Sequence, residues 1–543
     1  MDLIVISQSD VVNYAEYSKI PLDRLSLCSE LIYPRMIHYQ GGFRSHLDVL
    51  NKIRRGVFWN EADFVQRREL LNIWNLPGFV GVHLANYLRQ FGIGTGIINN
   101  FDAEWDLFCE MYERSSMPPL IGISCTFHLN YSEVGRISKK IKSRFPDASI
   151  VIGGAFVNAQ VKSDDSAALE RAMLRLGLDY AIHSFNSESD LRDLVLARKH
   201  AGASLSEVNN LFFREKINDS AQIQKTVTRW NDPVLDDAPA DWDRLDLTSF
   251  VRSTLQLRSA SGCAFSCAFC SYPRLSKGLH TMSLDVLEKH LISISRIPGV
   301  RRLVFLDDTF NVPAERFRSI CRLLSKFDFE WSSFLRVQYV DAETAALMKD
   351  SGCSCVYLGI ESANDSVLKS MNKRANGDAF RRGVGHLRNN GIVSLAAFVL
   401  GFPGETDETV LSNIDFVNST GVEFYSLKEF YYSENTPVHE QRDAFGLAGA
   451  GNKWSHRTMD SRRAYEHKIA AFSEIKNSVF IDPDTSLWFL AYMLDQGFSF
   501  ADISEIQRNL NGIMLSQIQG AFDDNHTGFR NLATKLNGVG GTA

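Results

Sequence analysis

Six apolar stretches of strand length, at 255–260, 302–306, 331–336, 354–359, 393–400 and 423–428, alternate with helical stretches near 283–296, 313–326, 341–351, 376–390 and 406–419. Strands buried on both faces read as continuous apolar runs, and strand–helix alternation builds a parallel sheet covered by helices. Six strands in about 180 residues predict a partial, six-stranded (β/α) barrel, short of the eight units of the closed form.

An earlier series alternates in the same way. Strands are expected at 2–7, 94–98, 120–125, 150–154 and 179–182, and helices at 78–92, 103–113, 131–145 and 188–199. Together they predict an α/β, doubly wound, Rossmann-like sheet, whose ligands sit beyond the C-terminal strand ends. Cys125, Thr126, Phe127 and His128 follow one such end, and Gly153 and Gly154 form another. The chain divides on this reading into 1–228, with a long polar insertion at 10–75; a linker at 229–248 containing Pro233 and Pro239; the barrel at 249–430; and a helical, aromatic-rich region at 431–543.

A length of 543 residues exceeds what one core holds. Apolar residues make up 45% and charged residues 22%, the profile of a soluble globular protein. The net charge of −6, with no basic run, argues against a nucleic-acid partner. No run approaches the roughly 18 apolar residues of a membrane span. The first residues lack a basic lead and read as a strand, not a signal peptide. Nine cysteines, an odd number, argue for reduced thiols in a cytoplasm, or for metal ligation, over a disulfide framework.

Three of the nine, Cys263, Cys267 and Cys270, lie on one loop with the spacing C-x3-C-x2-C. Closely spaced thiolates suit a soft metal centre. Zinc commonly takes two separated pairs of ligands, and no second pair with that spacing is present. Iron–sulfur clusters of the ferredoxin type take four cysteines. Three thiolates leave one iron open to a substrate; the bland alternative is a loop of buried or zinc-bound thiols.

This loop resembles the signature of the radical S-adenosylmethionine (SAM) superfamily, C-x3-C-x-aromatic-C, with Phe269 as the aromatic residue. The resemblance implies a [4Fe–4S] cluster on the three cysteines, SAM at the open iron, and an electron donor such as flavodoxin or ferredoxin. It also places Asp307 and Asp308 after the second barrel strand, and Glu361 and Ser362 near the SAM ribose after the fourth. Gly401 and Gly404 then lie in the loop that cradles the adenine, and Arg336 is a candidate fork donor to the SAM carboxylate. The local alternatives are a helix cap for Asp308, a turn at Pro403-Gly404 and a surface ion pair for Arg336.

The stretch from Cys125 to Asn130, a helix, and then Ile150 to Gly154 resembles the cobalamin-binding domain of B12-dependent radical SAM enzymes. Cys125, Thr126, Gly153 and Gly154 would then line a corrinoid site. No D-x-H-x-x-G triplet is present, so that motif offers no lower histidine ligand, and His128 reads as a loop histidine. The alternative is a Rossmann-like domain without a corrinoid. The chain most resembles the group around phosphinate P-methyltransferases. This implies methylation of carbon or phosphorus in a small natural-product intermediate. Two other readings are transfer of the SAM 3-amino-3-carboxypropyl group to a soft acceptor such as trivalent arsenic, and a non-catalytic Fe–S or corrinoid sensor. Cys353 and Cys355, two apart, read as core thiols, with a soft-substrate ligand as the sharper alternative.

Overall fold

The computed structural model describes residues 1–9, 14–128, 130–162, 166–200, 204–217, 220–245, 247, 252–482 and 486–539. Of the linker expected at 229–248, residues 246 and 248 lie outside the described residues.

The first sheet contains β1 (Leu3–Gln8), β2 (Thr95–Asn100), β3 (Leu120–Ser124), β4 (Ser149–Gly153), β5 (Tyr180–Ile182), β6 (Leu211–Ile217) and β7 (Ser220–Lys225). Their order is β2-β1-β3-β4-β5-β6-β7. The first five strands are parallel, and the doubly wound expectation holds for them. The antiparallel hairpin β6–β7 extends the edge and was not anticipated. Its outer part, from Arg214 onward, is charged and largely exposed, so it lacks the apolar run of a central strand.

The second sheet runs in chain order and is parallel throughout: β8 (Thr254–Leu257), β9 (Arg302–Phe305), β10 (Glu330–Leu335), β11 (Cys353–Glu361), β12 (Val393–Leu400), β13 (Phe424–Glu429) and β14 (Val479–Phe480). The first six are the expected barrel strands. The seventh pairs Val479 and Phe480 with Phe424 and Tyr425. A two-residue strand carries no periodicity to read in advance. Among the helices, α1 (Leu284–Ser295) starts at Ser283, whose hydroxyl accepts from the Val286 amide. Between β12 and β13, α2 (Asp407–Thr420) starts at Thr406 with a reciprocal capping box to Thr409. The crossover from β13 to β14 carries α3 (Ser461–Glu474), and α4 (Ser486–Asp495), α5 (Phe500–Ile518) and α6 (Thr527–Val539) complete the helical C-terminal region.

The insertion expected at 10–75 in the N-terminal unit sends many apolar side chains of its described residues into the core of the second sheet. Ile32, Phe43, Leu50 and Leu71 share that core with Leu510 and Phe529. The His38 amide donates to Gln517 Oε1 at 2.8 Å, and Gln517 Nε2 donates back to the His38 carbonyl at 2.7 Å. Tyr39 stacks on Phe529 with ring centroids 4.3 Å apart. Among the described residues no helix is long and apolar enough to cross a membrane.

Candidate functional site

Immediately after β8, a short antiparallel pair, Ala260–Ser261 with His280–Thr281, frames the cysteine loop. Gly262 opens the loop at φ +89°, and a Cβ there would run into the Gly278 carbonyl, so only glycine fits. The Ala268 amide donates to the Met371 carbonyl at 2.8 Å, and the Val438 amide donates to the Ala268 carbonyl at 2.8 Å. Loops following β11 and β13 therefore hold the cysteine loop from both sides. Cys267 is buried, and Cys263 and Cys270 are half-buried. Burial pushes the Cys270 thiol up to about 12, with the neighbouring Cys267 and Cys263 adding to the effect.

Arg336, at the end of β10, is drawn into this loop. Its Nη2 donates to Cys267 Sγ at 2.9 Å and its Nη1 to the Lys373 carbonyl at 2.7 Å. The guanidinium lies 3.5 Å from the Phe265 ring centroid. Asn311 fixes its backbone through paired hydrogen bonds. The surface-ion-pair alternative for Arg336 is excluded by this burial. Among the described residues, no three His, Cys, Asp or Glu side chains close around a single ion. A four-iron cluster asks for something different, one thiolate on each of three separate irons, and three thiols of one loop, near enough to influence one another, with a buried cation beside one sulfur, fit it.

The remaining predicted residues divide by environment. Asp307 is buried, and its carboxylate accepts from the Ser259 amide at 2.7 Å and from the Ser259 hydroxyl, which ties β9 to the end of β8. Burial raises Asp308 to about 7, opposed by a hydrogen bond with Tyr272. Glu361 has φ +64°, a left-handed conformation rare for a residue with a side chain. Its pairing with β12 is irregular at the same point. Its carboxylate takes a hydrogen bond from Lys373 Nζ at 2.9 Å. A Cβ on Gly359 would stand 2.6 Å from Glu361 Oε1 and 3.1 Å from Lys373 Nζ.

Ser362 is fully buried; its hydroxyl donates to Asn413 Oδ1 at 3.4 Å and accepts from the Asn364 amide at 3.2 Å. It closes the turn after β11, with its hydroxyl spent inside the protein. Gly401 has φ +83°, and a Cβ there would strike the Trp454 ring. This glycine is explained by the approach of an indole, not by the close ligand approach expected of it. Gly404, at φ +99°, has only Ser370 nearby. Three residues that sequence reasoning missed hold this loop. Glu405 accepts from the Gly401 amide, the His456 ring lies 3.0 Å from the Gly401 carbonyl, and Trp454 stacks on His456. His456 and Trp454 come from a distant hairpin, so nothing local signals them.

In the first sheet, Cys125 is fully buried and burial raises its thiol to about 12. Thr126 is exposed. Gly154, at φ +114°, meets the Thr126 amide at 3.0 Å from its Cβ position, while at Gly153 only Ile182 comes within 4 Å. Three buried side chains after adjacent strand ends have ring or amide nitrogens without hydrogen-bond partners. They are His128 after β3, Asn158 after β4 and His183 after β5. Burial holds both imidazoles near pKa 4, so they are neutral at neutral pH. His128 and His183 follow strands two places apart in the sheet, and Asn158 lies on the helix that follows the strand between them. Their unpaired polar groups suit a ligand with amide arms, such as a corrinoid.

An aromatic series links the two sheets. Phe127 contacts Trp74 at 5.5 Å and Trp488 at 5.7 Å between ring centroids. Trp488 contacts Phe334 at 5.7 Å, and Phe334 contacts Tyr357 at 5.1 Å. Cys353 and Cys355 begin β11, at the end opposite this face, and both are buried core thiols. A register shift pairs Cys353 with Trp331 and Cys355 with Ser332, so the two do not follow regular alternation.

A parallel sheet whose first strand feeds a three-cysteine loop defines the class. Residues 257–417 match the family model of the radical SAM superfamily, so this stretch is a radical SAM domain, and the chain is an enzyme. An uncharacterized methyltransferase of Pyrococcus horikoshii is 26% identical over 64% of this chain and 75% of that protein. The bacteriochlorophyllide d C-12(1)-methyltransferase of Chlorobaculum tepidum is 24% identical, and the match spans less than half of its length, 42%. The fold is that of the radical SAM methyltransferase TsrM from Kitasatospora setae, solved with cobalamin and a [4Fe–4S] cluster bound. The TM-score is 0.59 at 15% identity, covering 86% of this chain and 97% of that one. The cobalamin-dependent radical SAM enzyme OxsB, solved with aqua-cobalamin and SAM, superimposes with TM-score 0.56 at 15% identity over 96% of this chain and 92% of that one.

Proposed function

We propose that this chain is a cobalamin-dependent radical SAM methyltransferase, acting on carbon or a phosphinate phosphorus of a small natural-product intermediate. One observation supports the reading: Phe127, after a strand end of the first sheet, contacts Trp488, which contacts Phe334 of the second, so the two candidate cofactor loops would face a common space. When bound, the cluster supplies the electron that opens SAM, and the corrinoid supplies the methyl group. Cys263, Cys267 and Cys270 would hold the cluster, with Arg336 fixing Cys267. Glu361, aimed by Lys373, would accept hydrogen bonds from the SAM ribose, and Gly404 would lie against the adenine. Thr126, Gly153 and Gly154, with His128, Asn158 and His183, would hold the corrinoid. The aromatic series would keep water from that space. A flavodoxin or ferredoxin would deliver the electron. The arsenic-directed reading gains no support from Cys353 and Cys355, which are sealed at the far end of β11.

Product analysis after anaerobic reduction with SAM and hydroxocobalamin tests this. Reconstituted protein should carry about four irons, retain corrinoid, and yield S-adenosylhomocysteine or 5′-deoxyadenosine. Replacing Cys263, Cys267 and Cys270 together by Ala should abolish iron loading and SAM cleavage. Methylthioadenosine as the sole product would transfer the assignment to aminocarboxypropyl chemistry.

A further inference from the structure

Among the described residues, three cations at the C-terminal mouth of the second sheet are buried or half-buried and already committed. Arg258, after β8, donates to Glu188 at 3.3 Å. Arg336 is spent on Cys267 and the Lys373 carbonyl. Lys373 is paired with Glu361 at 2.9 Å. Lys428 sits one residue before the end of β13; it is exposed and has no ion-pair partner among the described residues.

Its direction follows from its neighbours. Both carboxylate oxygens of Glu429 accept from Lys468 of α3 at 3.0 Å, and α3 is the crossover helix on the outer face. Tyr425 meets Phe480, which in turn contacts Phe472 of α3. Successive strand residues alternate between faces. Glu429 and Tyr425 therefore point outward, and Lys428, Ser426 and Phe424 point inward. Register aligns Lys428 with Val399, and Ser426 with Ala397, which in turn aligns with Gly359. One level deeper, Phe424, Leu395 and Tyr357 form an apolar floor, and Phe334 packs on Tyr357. The nearby carboxylates are already engaged: Asp307 by Ser259, Asp308 by Tyr272 and Glu361 by Lys373. The inner face thus has an apolar floor with the unpaired ammonium of Lys428 at its rim.

We infer that Lys428 anchors an anionic oxyacid group of the substrate, making that substrate a small carboxylate or phosphinate whose apolar part reaches toward Tyr357 and Phe334. This rests on the reading of the mouth as the methyl-transfer site. A charge-assisted hydrogen bond is stronger than a neutral one. Removing the ammonium should weaken anion binding about tenfold or more.

The test uses protein reconstituted with cluster, SAM and corrinoid. Methyl-proton line broadening is followed for dimethylphosphinate and isobutyrate, and for their neutral counterparts trimethylphosphine oxide and isobutyramide. Wild type should broaden at least one anion saturably and neither neutral molecule. Lys428→Ala should lose that binding, Lys428→Arg should recover it, and iron content and SAM affinity should match wild type in both. Which anion responds tells phosphinate from carboxylate. Equal affinity in Lys428→Ala, equal broadening by the neutral molecules, or no anion binding by wild type would each overturn the inference. Corrinoid retention, measured on the same samples, separates the two claims. Lys428-dependent anion binding in a protein that retains no corrinoid would overturn the methyl-transfer reading and leave the anion anchor standing.

Discussion

Glu361 holds a backbone conformation that costs a non-glycine residue of the order of 1–3 kcal/mol, and its carboxylate is oriented by a lysine that is almost wholly buried. Such strain persists where the surrounding structure demands it. The proposed role as ribose acceptor makes a specific expectation. Glu361→Ala should weaken SAM binding roughly ten- to hundredfold, the value of about 1.5–3 kcal/mol for a charge-assisted hydrogen bond. Glu361→Gln should lose less, because an acceptor oxygen remains. Iron content should be unchanged in both. Gly359→Ala should mimic the loss without touching SAM, since its new methyl would crowd Glu361 Oε1 and Lys373 Nζ. Titration of SAM into the four proteins, with iron measured in parallel, checks this; equal affinities would remove Glu361 from the site.

At the scale of elements, the turn from β12 to α2 is set by Glu405. Its carboxyl is fully buried, accepts from the Gly401 amide, and is raised to about 7 by burial, against hydrogen bonds that pull the other way. A carboxyl whose folded pKa exceeds its unfolded value contributes stability that is present below the unfolded pKa. That contribution is lost as pH rises through the folded one. Wild type should therefore lose stability between about pH 4.5 and 7, by something on the order of 3 kcal/mol. Glu405→Gln, which stays neutral, should flatten that part of the profile and be the more stable protein at pH 8. Denaturant melts of both proteins at pH 5, 6, 7 and 8 measure it, and parallel profiles would refute the assignment. The same turn explains why Gly401 was found for the wrong reason. A glycine signals that something approaches closely, and only the fold reveals that Trp454 is what approaches.

For the whole molecule, the decisive contacts join distant parts of the chain. Tyr39 on Phe529 ties the early polar segment to the last helix. Phe529→Ala should cost about 3–5 kcal/mol, as for other buried aromatic side chains. It should lower the melting temperature of both segments together if they form one cooperative unit; melting followed by circular dichroism and by limited proteolysis within 14–75 checks this. If residues 14–75 resist cleavage as in wild type while the C-terminal helices melt early, the packing described here does not govern stability.

The two parallel strand series, the three-cysteine loop and the strand-end positions of Asp307, Arg336, Glu361 and Gly401 are legible along the chain alone. These are written in short-range patterns: apolar runs, alternation with helices, and fixed spacing along one loop. Strands β6, β7 and β14 escaped because an exposed edge and a two-residue strand bury too little to leave a pattern. What the strand-end residues touch was set by the packing of distant elements. It turned Arg336 toward Cys267, buried the Ser362 hydroxyl and aimed Glu361 through Lys373. It also left Lys428 at the mouth without an ion-pair partner among the described residues. The reason is sequence separation. The bond between His38 and Gln517 spans 479 residues, and that between His456 and Gly401 spans 55. Such pairings arise when separate elements pack, and neither partner's local sequence carries a trace of the other.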